Sequence, residues 1–153
     1  MAAYSVVSHR GRIEAVFARA REIDDAQTHA DVARYLCILV AGFIEQATRH
    51  IYGGYANRKS EPRVTRYVER QLAGFTNANA EKLCQVAGAF DAQWREDLVA
   101  FLAGDRKDAI DSVVANRHEI AHGQDVGITY IRVKEYFTHV KDTVDYLEAQ
   151  CAA

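Results

Sequence analysis

Residues 35–41, Tyr35-Leu36-Cys37-Ile38-Leu39-Val40-Ala41, are apolar at every position. At about 100° per residue such a run covers the whole circumference of a helix. A helix of that kind is covered on several sides and sits at the centre of its fold. The run lies inside a helical pattern over residues 30–53, closed by Gly53 and Gly54. Working outward, Ile13, Val16, Phe17, Ala20 and Ile23 recur three and four apart, which predicts a helix over 9–26. The polar segment Asp24–His29 separates the two. After a polar loop at 55–61, Pro62 suits the first turn of a third helix reaching about Ala73. Asn77 or Asn79 caps a fourth through Phe90. Asp91 caps a fifth, with Trp94, Leu98, Phe101 and Leu102 inward, ending at Gly104. Asp105 starts a sixth. After a loop at 123–128, Thr129 caps a seventh from Tyr130 to about Gln150, with Tyr130, Val133, Phe137, Val140, Val144 and Leu147 as its stripe. No segment of real length alternates with period two, and no repeat is visible. The expectation is an all-α bundle of about six to seven helices in one domain spanning residues 1–153.

Composition narrows the function classes. The chain has 153 residues, 49% hydrophobic and 26% charged, with one proline and nine glycines, which argues against disorder and against a loop-rich β fold. A net charge of −2 excludes a polycation, so any nucleic-acid site is a local basic patch. The three cysteines, Cys37, Cys84 and Cys151, are widely spaced and odd in number. They read as buried free thiols in a reducing compartment, not as a disulfide framework or a metal cluster. The first residues lack a basic start followed by an apolar run, and Tyr35–Ile44 is too short to span a bilayer. The expectation is a cytoplasmic protein without a membrane partner.

The chemistry concentrates in Ala109–Gly123, AIDSVVANRHEIAHG. Ile110, Val113, Val114 and Ala121 share one helical face, and Arg117 falls in the middle of it. A guanidinium there is costly to bury without a partner. Glu45, on the same side of the second helix as Ile38, Ala41 and Tyr52, is the candidate to hold it. His122 stands in the last turn beside the terminator Gly123. Singly, a histidine at a helix end also serves the helix dipole, and an inward arginine also serves a structural ion pair. His118 lies about 40° from His122 and either lines the same cleft or is simply exposed. Together, Arg117 and His122 are sufficient to cleave RNA by attack of its own 2′-OH. Histidine supplies proton transfer near neutrality, and arginine supplies a fixed, planar charge for the phosphoryl oxygens. No metal and no other cofactor is required. On the third helix, Arg63, Arg66 and Arg70, with Val64, Tyr67, Val68 and Leu72 between them, form either an RNA contact or a solvated face.

A second pattern overlaps the first. His118-Glu119-Ile120-Ala121-His122 matches H-E-x-x-H, in which two histidines bind zinc and the glutamate is general base. Glu135 or His139 is the available third ligand. Against a zinc peptidase stand the shortness of the pattern, its position at a helix end, and Arg117, which would sit beside a dication without a role.

Arg117-His118-Glu119-Ile120-Ala121-His122-Gly123 resembles the R-x(4–6)-H signature of the HEPN superfamily, in which the residue after the arginine is polar, as His118 is. Val40–Tyr52 with Glu45 after its apolar run, the helix start Asn79-Ala80-Glu81-Lys82, and Trp94 in the following helix are similar to RiboL-PSP-type HEPN domains. The resemblance covers about residues 30–148. It implies a small α-bundle that forms a homodimer, with two R-x(4–6)-H motifs facing each other. It also implies a metal-independent endoribonuclease, the effector of a toxin–antitoxin or other defence system, with an antitoxin or defence protein as possible partner. Non-catalytic members that dimerise or bind RNA are the alternative. One departure counts: some HEPN toxins carry a modifiable tyrosine two residues after the motif histidine, where this chain has Gln124, so that mode of neutralisation is not implied.

Overall fold

The computed structural model describes residues 3–152. Among these residues seven helices follow in order: α1 (Val6–Arg21), α2 (Ala26–Lys59), α3 (Pro62–Ala73), α4 (Ala80–Phe90), α5 (Ala92–Leu102), α6 (Asp105–Ala121) and α7 (Tyr130–Ala152). Among the described residues there is no strand. The fold is all-α, as the periodicity predicts.

α2 is the axis of the bundle. It packs against α1, α3, α6 and α7, while α4 and α5 form a hairpin that also touches α6. Leu36, Cys37, Val40, Phe43, Ile44 and Ala47 of α2 are buried. Phe17 of α1 stacks on Phe137 of α7 with ring centroids 5.1 Å apart, and Phe43 meets Phe137 edge-on at 6.1 Å. These contacts sandwich α2 between its neighbours. At the other end Tyr52 stacks on Phe90 at 5.2 Å, and Tyr55 meets Trp94 at 5.0 Å, which ties α2 to the α4–α5 hairpin.

The helix starts follow local capping chemistry. The side chains of Asn79, Asp91 and Thr129 accept backbone N–H bonds from Lys82 (2.9 Å), Gln93 (2.7 Å) and Arg132 (3.2 Å), as their positions predict. The bounds of α1 and α2 differ from the sequence expectation at both ends of each helix. α1 starts at Val6 and ends at Arg21, and α2 starts at Ala26, so residues 26–29 of the expected polar break are its first turn, because Ser5 caps α1 and Asp25 already caps α2 through Thr28. α2 runs straight through Gly53 and Gly54 to Lys59, so residues 55–59 are helix and not loop. Two interior glycines cost a helix about 1 kcal/mol each. Burial of Tyr52 and Ala56 on the flanking turns outweighs that. Cys37, Cys84 and Cys151 are free and buried, as expected. No described helix is long and apolar enough to cross a membrane.

The centre of α2 is not covered on every side: Tyr35 is 52% exposed and Ile38 39%. The opposite mismatch occurs at Tyr52, which is fully buried while its hydroxyl has no hydrogen-bond partner among the described residues. An orphaned buried hydroxyl costs more than a phenyl ring. Tyr52→Phe is therefore expected to raise the unfolding free energy by about 1 kcal/mol in urea titration. A loss of stability would mean that the hydroxyl has a partner.

Candidate active site

α6 delivers the site because its two halves have different surroundings. Ala109, Ile110, Val113 and Val114 are buried, and the carbonyl of Val113 accepts the Cys37 thiol of α2 at 3.5 Å. Helices two and six thus meet, as expected. Beyond Val114 the helix leaves the core. Ala115, His118, Glu119, Ala121 and His122 are exposed, and Asn116, Arg117 and Ile120 are half-buried. Ala121, expected on the buried face, is therefore at the surface, and the apolar face ends before the helix does.

The end of α6 is closed by backbone geometry. The N–H of Gly123 bonds the carbonyl of Ile120 at 3.1 Å, and the N–H of Gln124 bonds that of Glu119 at 3.0 Å. This pair of bonds is a Schellman motif, and it requires the residue after the cap to be left-handed. Gly123 meets the requirement at φ 74°. His122 is the cap itself, so the glycine sets the position of its imidazole. Gly123→Ala is expected to cost about 1–2 kcal/mol, the strain of a left-handed L-residue, measured by denaturant unfolding. Open space around the position leaves no steric clash to add to it. No change would mean that the helix end re-forms differently.

The rings of His118 and His122 touch, with centroids 4.4 Å apart and planes at 62°. Sequence spacing allows His118 either a place beside His122 or a simple exposed role; the structure brings it to His122. Both rings are exposed, so two imidazoles share one solvent-facing position. Arg117 precedes them in the chain. It makes no ion pair and no side-chain hydrogen bond among the described residues. The expected pair with Glu45 is not formed. Instead, an oxygen of Glu45 accepts the backbone N–H of Asn77 at 2.7 Å. Asn77 lies in the α3–α4 loop at φ 53°, a left-handed conformation that asparagine tolerates better than most residues. The guanidinium needs no carboxylate, because it is only half-buried and keeps part of its hydration.

That loop is pinned from two helices, which the sequence did not reveal. Glu45 holds Asn77, and Asp111 of α6 accepts the N–H of Ala80 at 2.9 Å. Arg49 also bonds the carbonyl of Phe75 at 3.0 Å through Nε. The only local signal was the i,i+4 spacing of Lys107 and Asp111, which do pair at 3.0 Å. Between the loop and α6 lies a cleft of about 410 Å³, with Asn77, Lys107, Asp111, His118 and Glu119 on its walls. Arg63, Arg66 and Arg70 are exposed on α3 and do not line this cleft.

No described group of three His, Cys, Asp or Glu side chains is placed to hold a metal ion, so neither Glu135 nor His139 joins His118 and His122. The cysteines offer no nucleophile either. Burial pushes the Cys37 thiol up to about 12 and Cys151 up to about 11, and raises Cys84 as well.

The family model for RiboL-PSP-HEPN matches residues 12–153, from the second turn of α1 through α7. The chain belongs to the RiboL-PSP-HEPN family. No curated protein and no solved structure matches it. A HEPN domain points to an RNase or RNA-binding role. In this HEPN chain the Arg117–His122 stretch ends α6, where the arginine and both imidazoles reach solvent.

Proposed function

We propose that this HEPN chain is a metal-independent endoribonuclease that cleaves single-stranded RNA, with Arg117 and His122 as its catalytic residues and His118 in support. The observation that carries the reading is an arginine without an ion-pair partner among the described residues, followed on the same helix end by two imidazoles in contact. An imidazole nitrogen takes the proton of the 2′-OH. The 2′ oxygen forms a bond to phosphorus, and the bond from phosphorus to the 5′ oxygen breaks. An imidazolium returns a proton to that leaving oxygen. The products are a 2′,3′-cyclic phosphate and a 5′-hydroxyl. Arg117 faces the phosphoryl oxygens, where its planar donors match the developing charge. Glu45 acts at a distance in this reading, by fixing the loop beside α6.

A homodimer would double the set of groups. Tyr35 and Ile38, apolar yet exposed on the central helix, favour such an isologous contact. Light scattering is expected to show a dimer, and a monomer with full activity would remove the composite site. Cytoplasmic action as a toxin or defence effector completes the reading. The direct test uses the substrate. A 2′-methoxy group at the cleavage site is expected to stop the reaction, and DNA of the same sequence should remain intact, because the 2′-OH is the attacking group. Cleavage of either would contradict the mechanism.

A further inference from the structure

An apolar groove of about 650 Å³ runs between α3, the end of α2 and α4. Val64, Val68 and Leu72 of α3 face Tyr55 of α2 and Phe90 of α4 across it. This chain leaves its mouth open: Tyr67 is 65% exposed and Val64 50%. Exposed apolar surface of this kind, rimmed by polar residues, marks interaction sites. The groove lining holds no Asp or Glu, and its one charged residue is Lys59. Arg63 and Arg70, exposed on α3 outside the lining itself, stand four positions before and three after Tyr67, which makes them its neighbours on the helix surface. Lys59 and Arg70 form no ion pair among the described residues, and Arg63 reaches only Glu61 at 3.9 Å. On a chain of net charge −2 this face is a local reversal of sign.

We propose that the groove docks an acidic amphipathic helix of a partner protein. Its apolar anchors would fill the groove, and its carboxylates would meet Lys59, Arg63 and Arg70. The dimensions suit such an occupant. From Val64 to Leu72 the groove follows α3 for about 12 Å, and anchors at i and i+7 of a docked helix lie about 10 Å apart. The lining also favours protein over RNA. Of the four aromatic residues in the lining, Tyr55, Tyr67, Phe75 and Phe90, only Tyr67 is exposed, and Tyr55 and Phe90 pack on each other, so one free ring beside aliphatic Val64 and Val68 is a poor platform for successive stacked bases. The α3 arginines thereby acquire a role separate from the RNA contact considered for them.

Trp94, the single tryptophan, contacts both Tyr55 and Phe90 and reports on the groove by its fluorescence. The probes are a synthetic peptide with leucine at i, i+3, i+4 and i+7 and glutamate on the other face, its lysine counterpart, and a single-stranded RNA oligonucleotide. The full chain is expected to bind the glutamate peptide saturably and more weakly as salt rises. Binding should weaken about tenfold or more with the lysine peptide, with Tyr67→Glu, and with Arg63→Glu combined with Arg70→Glu. All three substitutions are at exposed positions, and circular dichroism checks the fold of each variant. Equal binding of the two peptides, no saturable binding, or indifference to both variants would overturn the proposal. So would RNA binding that displaces the peptide and is lost in the same variants. None of these readouts uses RNA cleavage, so failure here leaves the reading of α6 intact, and the reverse.

Discussion

His122→Ala is expected to cleave single-stranded RNA roughly 10²–10⁴-fold more slowly than the native chain under single-turnover conditions, the usual worth of a positioned acid or base. The loss should fall on the chemical step and not on folding. His122 is exposed, and the Schellman bonds that close α6 run through the backbone of Ile120, Gly123, Glu119 and Gln124. Thermal unfolding of the variant should therefore match that of the native chain. Because the His118 ring touches the His122 ring, the two effects should not add. The double variant is expected to lose little more than His122→Ala alone, as groups acting as one unit do. Full additivity would mean that His118 contributes by a separate route, such as binding RNA elsewhere along the strand.

Arg117→Ala is expected to reduce the rate by roughly 10²–10³-fold, the scale for removing one preorganised stabiliser of transition-state charge. Arg117→Lys should not restore it, because a lysine keeps the charge but loses the planar pair of donors. Stability separates this role from a structural one. An arginine in a buried ion pair would cost about 3–5 kcal/mol when truncated. Arg117 is half-buried without an ion-pair partner among the described residues, so Arg117→Ala should stay within about 0.5–1 kcal/mol of the native chain in urea titration. Large destabilisation with unchanged cleavage would make the arginine a structural residue and leave the site without its charge.

What could be read from the sequence was local. Pro62 at a helix start and caps at Asn79, Asp91 and Thr129 are satisfied within a few residues of themselves, so composition exposes them. The His118–His122 contact follows from one helical turn. The end of α2 is not legible locally, for the converse reason. The cost of Gly53 and Gly54 is visible locally, while the burial of Tyr52 and Ala56 that offsets it comes from other helices. The partner of Glu45 is hidden from the sequence in the same way. Helical period identifies which face a residue occupies, but not where the helix leaves the core. Period alone therefore puts Arg117 deeper than its half-buried position and makes Glu45 its apparent partner. The bond Glu45 makes joins residues 32 apart, to a backbone N–H that has no sequence signature. The Ala109–Gly123 stretch carried the family because its arginine, histidines and glycine act within one helix end.

The most direct test of the central claim is end-group analysis of RNA incubated with the purified chain in excess EDTA. A nuclease built on Arg117 and His122 should cleave undiminished, leaving a 2′,3′-cyclic phosphate on one fragment and a 5′-hydroxyl on the other. Loss of cleavage in EDTA, or fragments bearing 5′-phosphates, would contradict attack by the 2′-OH and return the overlapping H-E-x-x-H histidines to consideration as metal ligands. Binding without any cleavage would make the chain an RNA-binding HEPN module.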